Sequence, residues 1–427
     1  MRYGIRLIVS IAFVFLTFPV PAGEILIKNA TIHTLTGAGT LENADILISN
    51  GTISALGTDI ASSSAGKVMD ASGKQVTPGL INAYTYLGVR EISAVEGTDD
   101  VSTGDEQFSA AFTIFSAVNP SSTLLPHNLI HGLTHGIVAP ESKHHVFAGQ
   151  GIVLQLGMPS SILNKSAAMF ARLGGSSSEA DGGSRASSYL KMQQALADTQ
   201  EYEANRHAVR TGNWRDLSLE VHDLEALIPV IAGNLPLVVT VHRASDINVL
   251  LELKKQFGFK LVIAGASEAW RMADKLARED VAVIIDPMAN LPIDFDQLAA
   301  RLDAAALLDA AGVTVLFTGV DFRHTHSAFL VRQAAGNAVA YGMDKTAALK
   351  AMTLNPATVF GFADKAGSLE PGKQANLVLW DGDPLEIMTL AEQVIVNGKV
   401  IPMVSRSTRL RDRYLDLDNE REIFYRK

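Results

Sequence analysis

The chain is organised around residues 76–88, which read Val76-Thr77-Pro78-Gly79-Leu80-Ile81-Asn82-Ala83-Tyr84-Thr85-Tyr86-Leu87-Gly88. A short apolar run follows the Pro-Gly turn and ends in a polar, aromatic segment. Such a run between turn signals is typical of a buried strand. We therefore expect a strand that carries Tyr84 and Tyr86 to an open mouth of the fold.

The middle of the chain alternates apolar runs with helical segments, which predicts repeated β–α units and a parallel sheet. Six further strands are expected at residues 136–139, 151–155, 237–242, 260–264, 281–285 and 313–317. Helices are expected at residues 187–209, 246–257, 267–279, 295–311 and 328–341. An eighth strand, which a closed barrel needs, is not evident between Leu156 and Asp223, where glycine and serine are frequent.

Short alternating strands flank this region on both sides. Asn50-Gly51 separates two such runs near the start of the chain, and Asn397-Gly398 separates two near its end. Asn-Gly between alternating runs is a strong signal for a tight hairpin turn. Both ends of the chain are therefore expected to form antiparallel sheet.

Composition narrows the class of protein and its partners. The 427 residues predict two domains, or one large barrel with an accessory domain. The chain has 36 basic and 45 acidic residues, a formal charge of −9 and no cysteine. Without a block of lysine and arginine, nucleic acid and anionic membranes are poor candidate partners. We expect a small-molecule substrate or ligand, and a homo-oligomer is left open.

The first 22 residues have the pattern of a secretory signal peptide. Arg2 and Arg6 give a basic start, Leu7 to Val20 form an apolar run, and small residues follow around Ala22. The apolar run is short for a membrane-spanning helix. We therefore expect export across an inner membrane to the periplasm, with no membrane attachment after removal of the signal.

Two stretches resemble the amidohydrolase superfamily, in particular its imidazolonepropionase-like members. Residues 78–86 are similar to its signature Pro-Gly-Leu-Ile-Asp-x-His-x-His, and residues 367–378 to its Gly-Ser-Leu-x-x-Gly-Lys-x-Ala-Asp-Leu-Val pattern. The resemblance implies an α/β fold, a TIM-type (β/α)8 barrel with a small composite β-sandwich domain built from both chain ends. After the signal peptide predicted at 1–22, it implies a composite β domain at 23–75 plus 366–427 and a barrel at 76–365.

The resemblance also implies a metal at the barrel mouth, where a divalent ion lowers the pKa of a bound water. In that superfamily the two histidines of the signature hold this metal. Here Tyr84 and Tyr86 occupy both positions and Asn82 replaces the aspartate, so the His-x-His motif is degenerate. Neutral phenols are poor substitutes for imidazoles on zinc. The expected cofactor is a divalent metal, zinc first, if the protein is active, and otherwise none.

His242 and Asp321 match two other positions of the superfamily. The resemblance assigns His242 as a metal ligand at the end of strand five, and Asp321 as metal ligand and general base after strand eight. A buried, hydrogen-bonded histidine and a helix N-cap are the respective alternatives. The strand-six position holds Ala264-Gly265-Ala266 in place of a histidine, so the set of ligands is incomplete.

His324 and His326 follow Asp321 closely and are further candidate metal ligands. On an extended segment, side chains two residues apart point to one side, as two ligands would require. A polar surface loop is the alternative explanation. Tyr84 and Tyr86 are candidate substrate-binding residues, because phenol rings stack on ligands and donate hydrogen bonds.

The expected function is that of an exported amidohydrolase-family hydrolase. It would cleave a carbon–nitrogen bond in a non-peptide or dipeptide-like amide through a metal-activated water. The alternative is a catalytically inactive protein of this fold that binds a small molecule in the barrel mouth. A serine or cysteine nucleophile is not indicated, since the chain has no Gly-x-Ser-x-Gly elbow and no cysteine.

Overall fold

The computed structural model describes residues 24–61, 66–105, 107–175, 183–319 and 324–415. Two sheets and a set of helices make up these residues. The strands are β1 (Ile25–His33), β2 (Thr40–Ser49), β3 (Thr52–Gly57), β4 (Lys67–Asp70), β5 (Gln75–Pro78), β6 (Leu80–Thr85), β7 (Leu133–Val138), β8 (Phe147–Gln155), β9 (Ser161–Arg172), β10 (Leu237–Val241), β11 (Leu261–Gly265), β12 (Ala282–Ile285), β13 (Val315–Phe317), β14 (Leu377–Trp380), β15 (Ala391–Val396) and β16 (Lys399–Val400).

The α-helices lie mainly between the strands of the second sheet and after its last strand. They are α1 (Leu124–Leu129), α2 (Arg185–Arg210), α3 (Val221–Ile231), α4 (Ala244–Phe257), α5 (Ala273–Arg278), α6 (Ala304–Ala310), α7 (Val331–Ala340), α8 (Lys345–Ala351), α9 (Leu354–Val359) and α10 (Arg406–Leu415). None of the helices in the described ranges is long and apolar enough to cross a membrane.

The first sheet joins the two ends of the chain. Its order is β16-β15-β14-β5-β1-β2-β3, and β4 also pairs with β1. Asn50-Gly51 turns β2 into β3 with positive φ at both residues, as an Asn-Gly hairpin turn requires. The pairing of β14 with β5 brings the carboxyl-terminal strands onto the amino-terminal ones. The expected sandwich and the domain boundaries at residues 75/76 and 365/366 stay predictions.

The second sheet is a TIM-like barrel with strands in chain order from β6 to β13. Most neighbours are parallel, but β8 runs antiparallel to both β7 and β9. The last strand, β13, returns beside β6. There the hydroxyl of Thr318 donates to the carbonyl oxygen of Tyr84 at 2.6 Å. The expectation of an all-parallel sheet is therefore wrong for one strand, because β7, β8 and β9 follow one another through short turns without crossover helices.

The strand that the sequence did not reveal is β9. It lies inside the stretch from Leu156 to Asp223, where no eighth strand was evident. Its first half is exposed or half-buried and pairs with β8, so that only Ala167–Ala171 is continuously buried. Its apolar run is confined to Ala167–Ala171 and contains no β-branched residue, so the run by itself does not distinguish a strand from a piece of buried helix.

One predicted helix is also shorter than expected. The segment predicted as a helix over 295–311 is a single 3-10 turn at Phe295–Gln297, and α6 begins only at Ala304. The carboxylate of Asp294 accepts a hydrogen bond from the amide of Asp296 at 2.9 Å, which closes that turn locally. Such side-chain bonds to the backbone compete with helix formation.

The barrel and the first sheet meet at what we call the seam: Thr77, Gly79, Gly132, Thr134 and Trp380. The indole nitrogen of Trp380 donates to the hydroxyl of Thr77 at 2.8 Å. A Cβ atom on Gly132 would lie 2.8 Å from the Trp380 ring, and one on Gly79 would lie 2.1 Å from the Thr134 hydroxyl. The two sheets therefore approach so closely that these two positions have no room for a side chain.

Polar side chains continue the seam towards the last hairpin. The ring of buried His135 has Nδ1 2.9 Å from the Thr134 hydroxyl and Nε2 3.3 Å from the Gln155 amide nitrogen. The Asn397 amide donates to Gln155 at 3.0 Å. Burial lowers the pKa of His135 to about 3, so the ring is neutral at ordinary pH. His135 therefore belongs to the packing between the two sheets.

Candidate active site at the barrel mouth

The mouth lies at the carboxyl ends of the parallel barrel strands, where TIM-barrel enzymes carry their active sites. Two cavities of about 390 Å³ and 270 Å³ open there. Both are lined by Tyr84, Tyr86, Thr240 and His242, so the two cavities adjoin at these four side chains. Strand β6 delivers the tyrosines to this place, as expected from the sequence.

Asn82 fixes the end of β6 from within. Its side-chain amide donates to the carbonyl oxygen of Ala328 at 3.0 Å, and its oxygen accepts the backbone amide of Tyr84 at 3.1 Å. The side chain is fully buried. The residue that replaces the superfamily's aspartate thus holds the first strand against the segment that follows the last one.

The tyrosine pair forms an ordered aromatic cluster. The rings of Tyr84 and Tyr86 meet edge to face at 5.9 Å, and the Tyr86 ring stacks on His324 at 5.1 Å. The Tyr86 hydroxyl donates to the Glu141 carboxylate at 2.5 Å. Arg90 also donates to Glu141, at 3.0 Å, and its guanidinium lies 4.4 Å from the centre of the Tyr86 ring. Tyr86 is therefore held in place on all sides.

Both tyrosines are neutral hydroxyl donors at physiological pH. Burial, with a further contribution from the negative charge of Glu141, raises the pKa of Tyr84 to about 12. Burial and the neighbouring Tyr84 raise the pKa of Tyr86 well above its ordinary value. A metal ligand at these positions would have to be a phenolate, which this environment disfavours.

His242 follows β10 directly, at the strand-five position assigned from the sequence. Its Nδ1 lies 2.9 Å from the hydroxyl of Ser267. Burial lowers the pKa of His242, although Asp294 and Asp296 oppose the effect, so the imidazole is neutral at pH 7. Its ring lies against Gly265, where an added Cβ would be 2.5 Å from the ring carbon Cε1. A histidine at the strand-six position is therefore incompatible with this placement of His242.

The structure separates the two histidines that follow Asp321. His324 lines the larger cavity and stacks on Tyr86, so it does belong to the mouth. The pKa of His127 is lowered first by burial and then by His326, which therefore lies near that ring, and His326 lines neither cavity. The expectation that both rings point to one side is wrong, because residues 324–330 form turns and a 3-10 segment in place of an extended strand.

Arg172 is a mouth residue that sequence reasoning missed. It ends β9, the unrecognised strand, and lines the smaller cavity beside Tyr84 and His242. Its Nε is buried and has no hydrogen-bond partner. The apolar run Ala167–Ala171 directly before it was the available signal in the sequence, and it required recognising that run as a strand.

The described residues do not fit the superfamily's metal. They contain no group of three or more His, Cys, Asp or Glu side chains able to hold an ion. At the mouth, His242, His324 and Asp286 line the larger cavity beside two protonated phenols but do not form such a group, whereas catalytic zinc sites usually have three protein ligands. Asp321, assigned as ligand and base from the sequence, lies outside the described residues, and its role stays a prediction. No chemical step is derived through a metal here.

Comparison with known proteins agrees with this architecture. The sequence model of the amidohydrolase family matches residues 232–401. The amidohydrolase tasK of Hapsidospora irregularis is 21% identical over 83% of this chain, although the matched region spans only 39% of tasK. The imidazolonepropionase of Staphylococcus aureus strain Newman is 22% identical over 88% of this chain and 95% of its own length.

Solved structures share the fold. An amidohydrolase from Thermotoga maritima superimposes with a TM-score of 0.78 at 23% identity, covering 88% of this chain and 99% of that one. Molinate hydrolase superimposes with a TM-score of 0.55 at 16% identity, covering 90% of this chain and 96% of that one. These likenesses show the fold, and the family-model match over residues 232–401 together with the sequence relatives supports the amidohydrolase superfamily.

Proposed function

We propose that this protein hydrolyses a carbon–nitrogen bond in a small amide-like molecule held in the barrel mouth. The observation that carries the proposal is the pair of adjoining cavities, which meet at a neutral imidazole and two protonated phenols. Membership in a superfamily whose named relatives include imidazolonepropionase supports the reaction class. A fold alone does not define a reaction, so the proposal depends on this site.

The side chains at the mouth suit part of this chemistry. Hydrolysis adds the oxygen of water to the carbonyl carbon, breaks the carbon–nitrogen bond, and leaves a carboxylic acid and an amine that takes up the proton. The neutral imidazole of His242 is able to accept a proton from the attacking water. The Tyr84 hydroxyl is able to donate a hydrogen bond to the carbonyl oxygen as charge develops on it. Asp321 is retained as a second candidate base.

A second candidate function is ligand binding without hydrolysis. The specific observation that favours it is the replacement of both histidines of the signature by phenols that stay protonated, with Gly265 at the strand-six position. Without a metal, the site lacks the group that generates hydroxide in the superfamily. The same cavity would then hold its ligand by stacking and hydrogen bonds.

One experiment separates the two functions. Purified wild-type protein is analysed for bound metal and assayed on a panel of N-acyl amino acids, cyclic imides and dipeptides, beside His242→Ala, Asp321→Asn and the exposed control His144→Ala. Release of amine that is lost in His242→Ala and kept in His144→Ala supports hydrolysis. Saturable binding without amine release, with or without added zinc, manganese or iron, supports the binding function. If the protein neither binds nor hydrolyses any of these compounds, both candidate functions are contradicted.

We also propose that the protein is exported and that residues 1–22 are removed. The basic start and the apolar run support this proposal, and these residues lie outside the described part of the chain. Expression of the full chain, cell fractionation and amino-terminal sequencing of the mature protein test it. A cytoplasmic protein that retains Met1 contradicts it.

A further inference from the structure

The smaller cavity contains a cation that has no counter-ion among the described residues. Arg172 lines this cavity at the end of β9. Its Nε is buried without a hydrogen-bond partner, and the structure gives the guanidinium no ion pair within 4.0 Å among the described residues. An arginine does not lose its proton in proteins, so it cannot escape the cost of desolvation by becoming neutral. Within the described part of the chain, the site therefore holds one positive charge that no carboxylate neutralises.

The acidic side chains that line this cavity are already engaged. Glu141 accepts hydrogen bonds from Tyr86 and from Arg90. Asp296 forms an ion pair with Arg185 and accepts the backbone amide of Gly175 at 2.6 Å. Neither carboxylate is within ion-pair distance of Arg172, so the positive charge is available to a molecule that enters the cavity.

We infer that Arg172 binds a carboxylate group of the molecule that occupies the mouth, an inference that rests on the proposed use of the mouth as the site. The flat guanidinium matches a carboxylate with two parallel hydrogen bonds, and such charged pairs are the stronger ones. A phosphate dianion would need a second unpaired cation, and no other cationic side chain lines this cavity. A single negative charge therefore suits the site best.

The lining of the larger cavity indicates the chemical character of the rest of the ligand. It continues from Tyr84 and His242 towards Ile284, Met288, Leu291 and Ile293, which are apolar. Leu291 and Ile293 are 77% and 73% exposed, so they border the opening with apolar surface that nothing in the described chain covers. A ligand with its carboxylate at Arg172 would place an apolar group here. The inferred class is a small monocarboxylate with an apolar substituent.

Matched probes test this class. N-acetyl-phenylalanine and N-acetyl-leucine are each compared with the corresponding uncharged amide, and phenyl phosphate serves as a doubly charged probe. Dissociation constants are measured by calorimetry for wild type, Arg172→Gln, Arg172→Lys and the control Arg271→Gln. Arg271 is exposed, pairs with Glu268 and lines neither cavity. Thermal unfolding of each variant checks that it is folded.

We expect the wild type to bind each acid at least about tenfold more tightly than the corresponding amide. Arg172→Gln should bind both forms like the amide, Arg172→Lys should keep part of the preference, and Arg271→Gln should behave as wild type. If the wild type binds acid and amide equally, and His242→Ala weakens the binding of both compounds, the inference is overturned while the mouth remains the site. Tighter binding of phenyl phosphate overturns the choice of a carboxylate. If no probe binds, the inference and the proposed function both fail.

Discussion

The seam and the mouth lie at opposite ends of the same barrel strand and follow different rules. At the seam, Gly79 is the glycine that the superfamily pattern expects, and Trp380 packs tightly. The polar groups of Thr77, Thr134 and His135 all have partners there. At the mouth, the residues of the pattern are replaced, and Arg172 has a buried nitrogen without a partner. Within the six residues of β6, the chain thus passes from packing that stabilises the fold to side chains that are available to a ligand.

The difference has a physical cause. Atoms at the seam have neighbours at van der Waals distance, so an added methyl group must displace something. Atoms at the mouth border open space, so their replacement changes chemistry more than stability. Resemblance at the seam therefore indicates the fold, and it does not by itself indicate the reaction.

The largest effect is expected for Gly79→Ala at the seam. The new Cβ would lie 2.1 Å from the Thr134 hydroxyl and 2.3 Å from its methyl carbon, in a fully buried site. We expect a loss of about 3 kcal/mol in the free energy of unfolding, measured with chemical denaturant. Gly37→Ala is the matched control, since a Cβ there meets nothing within 4 Å. A fully stable Gly79→Ala would show that the seam is looser than described.

A smaller effect is expected for Thr77→Val. The change keeps the shape of the side chain but leaves the buried indole N–H of Trp380 without its acceptor. The expected loss is about 2 kcal/mol. Trp380→Phe and the double variant complete a cycle, in which Thr77→Val should cost much less once the indole N–H is absent. Strict additivity would mean that this hydrogen bond contributes nothing.

The pH dependence of the free energy of unfolding is a further test of the packing at the seam. Folding lowers the pKa of His135 from about 6.5 in the unfolded chain to about 3. The unfolded state therefore binds the proton first on acidification, and stability falls as the pH drops below 6.5. The loss from this one group is about 1.4 kcal/mol per pH unit, continuing towards pH 3.

His135→Gln should remove that part of the acid dependence. Thermal or denaturant unfolding between pH 7 and pH 5 measures the slope, and the exposed His144→Gln is the control. Half-buried His131, whose pKa is lowered to about 4 mainly by burial, contributes with the same sign, so a slope remains in the variant. An unchanged slope in His135→Gln would contradict a neutral, buried ring at the seam.

The smallest effect on stability is expected at the mouth, for Arg172→Gln. The arginine has no ion pair with any residue that the structure describes, so removal of a charge that these residues do not neutralise offsets any lost packing. We expect the free energy of unfolding to change by less than about 0.5 kcal/mol, or to increase slightly. A loss above about 2 kcal/mol in the free energy of unfolding would show that Arg172 stabilises the fold. The mouth would then not differ from the seam in this respect.

Much of the architecture was readable from particular residues. The predicted elements are formed by the strand after Pro78-Gly79, the Asn50-Gly51 and Asn397-Gly398 turns, and the apolar run before His242. These signals are local, because a turn type or an apolar run depends on residues adjacent in sequence. The placement of Tyr84, Tyr86 and His242 around one mouth followed from the same strands.

The missing strand β9 shows where local signals end. Half of it is polar and has strand structure only because β8 pairs with it, so its own composition does not specify the element. Arg172 was missed for the same reason, and His326 was misplaced because the backbone after residue 323 turns where an extended segment was assumed.

By itself, the sequence determined the barrel, the composite sheet that joins both chain ends, and the loss of the His-x-His pair. The tertiary structure decided which polar side chains share the mouth, that both tyrosines stay protonated, and that Gly265 makes room for the ring of His242. It also decided that Arg172 has no counter-ion in the part of the chain that the structure describes. The physical reason is that burial, pKa and pairing depend on neighbours distant in sequence. Those neighbours are brought together only when the barrel is formed.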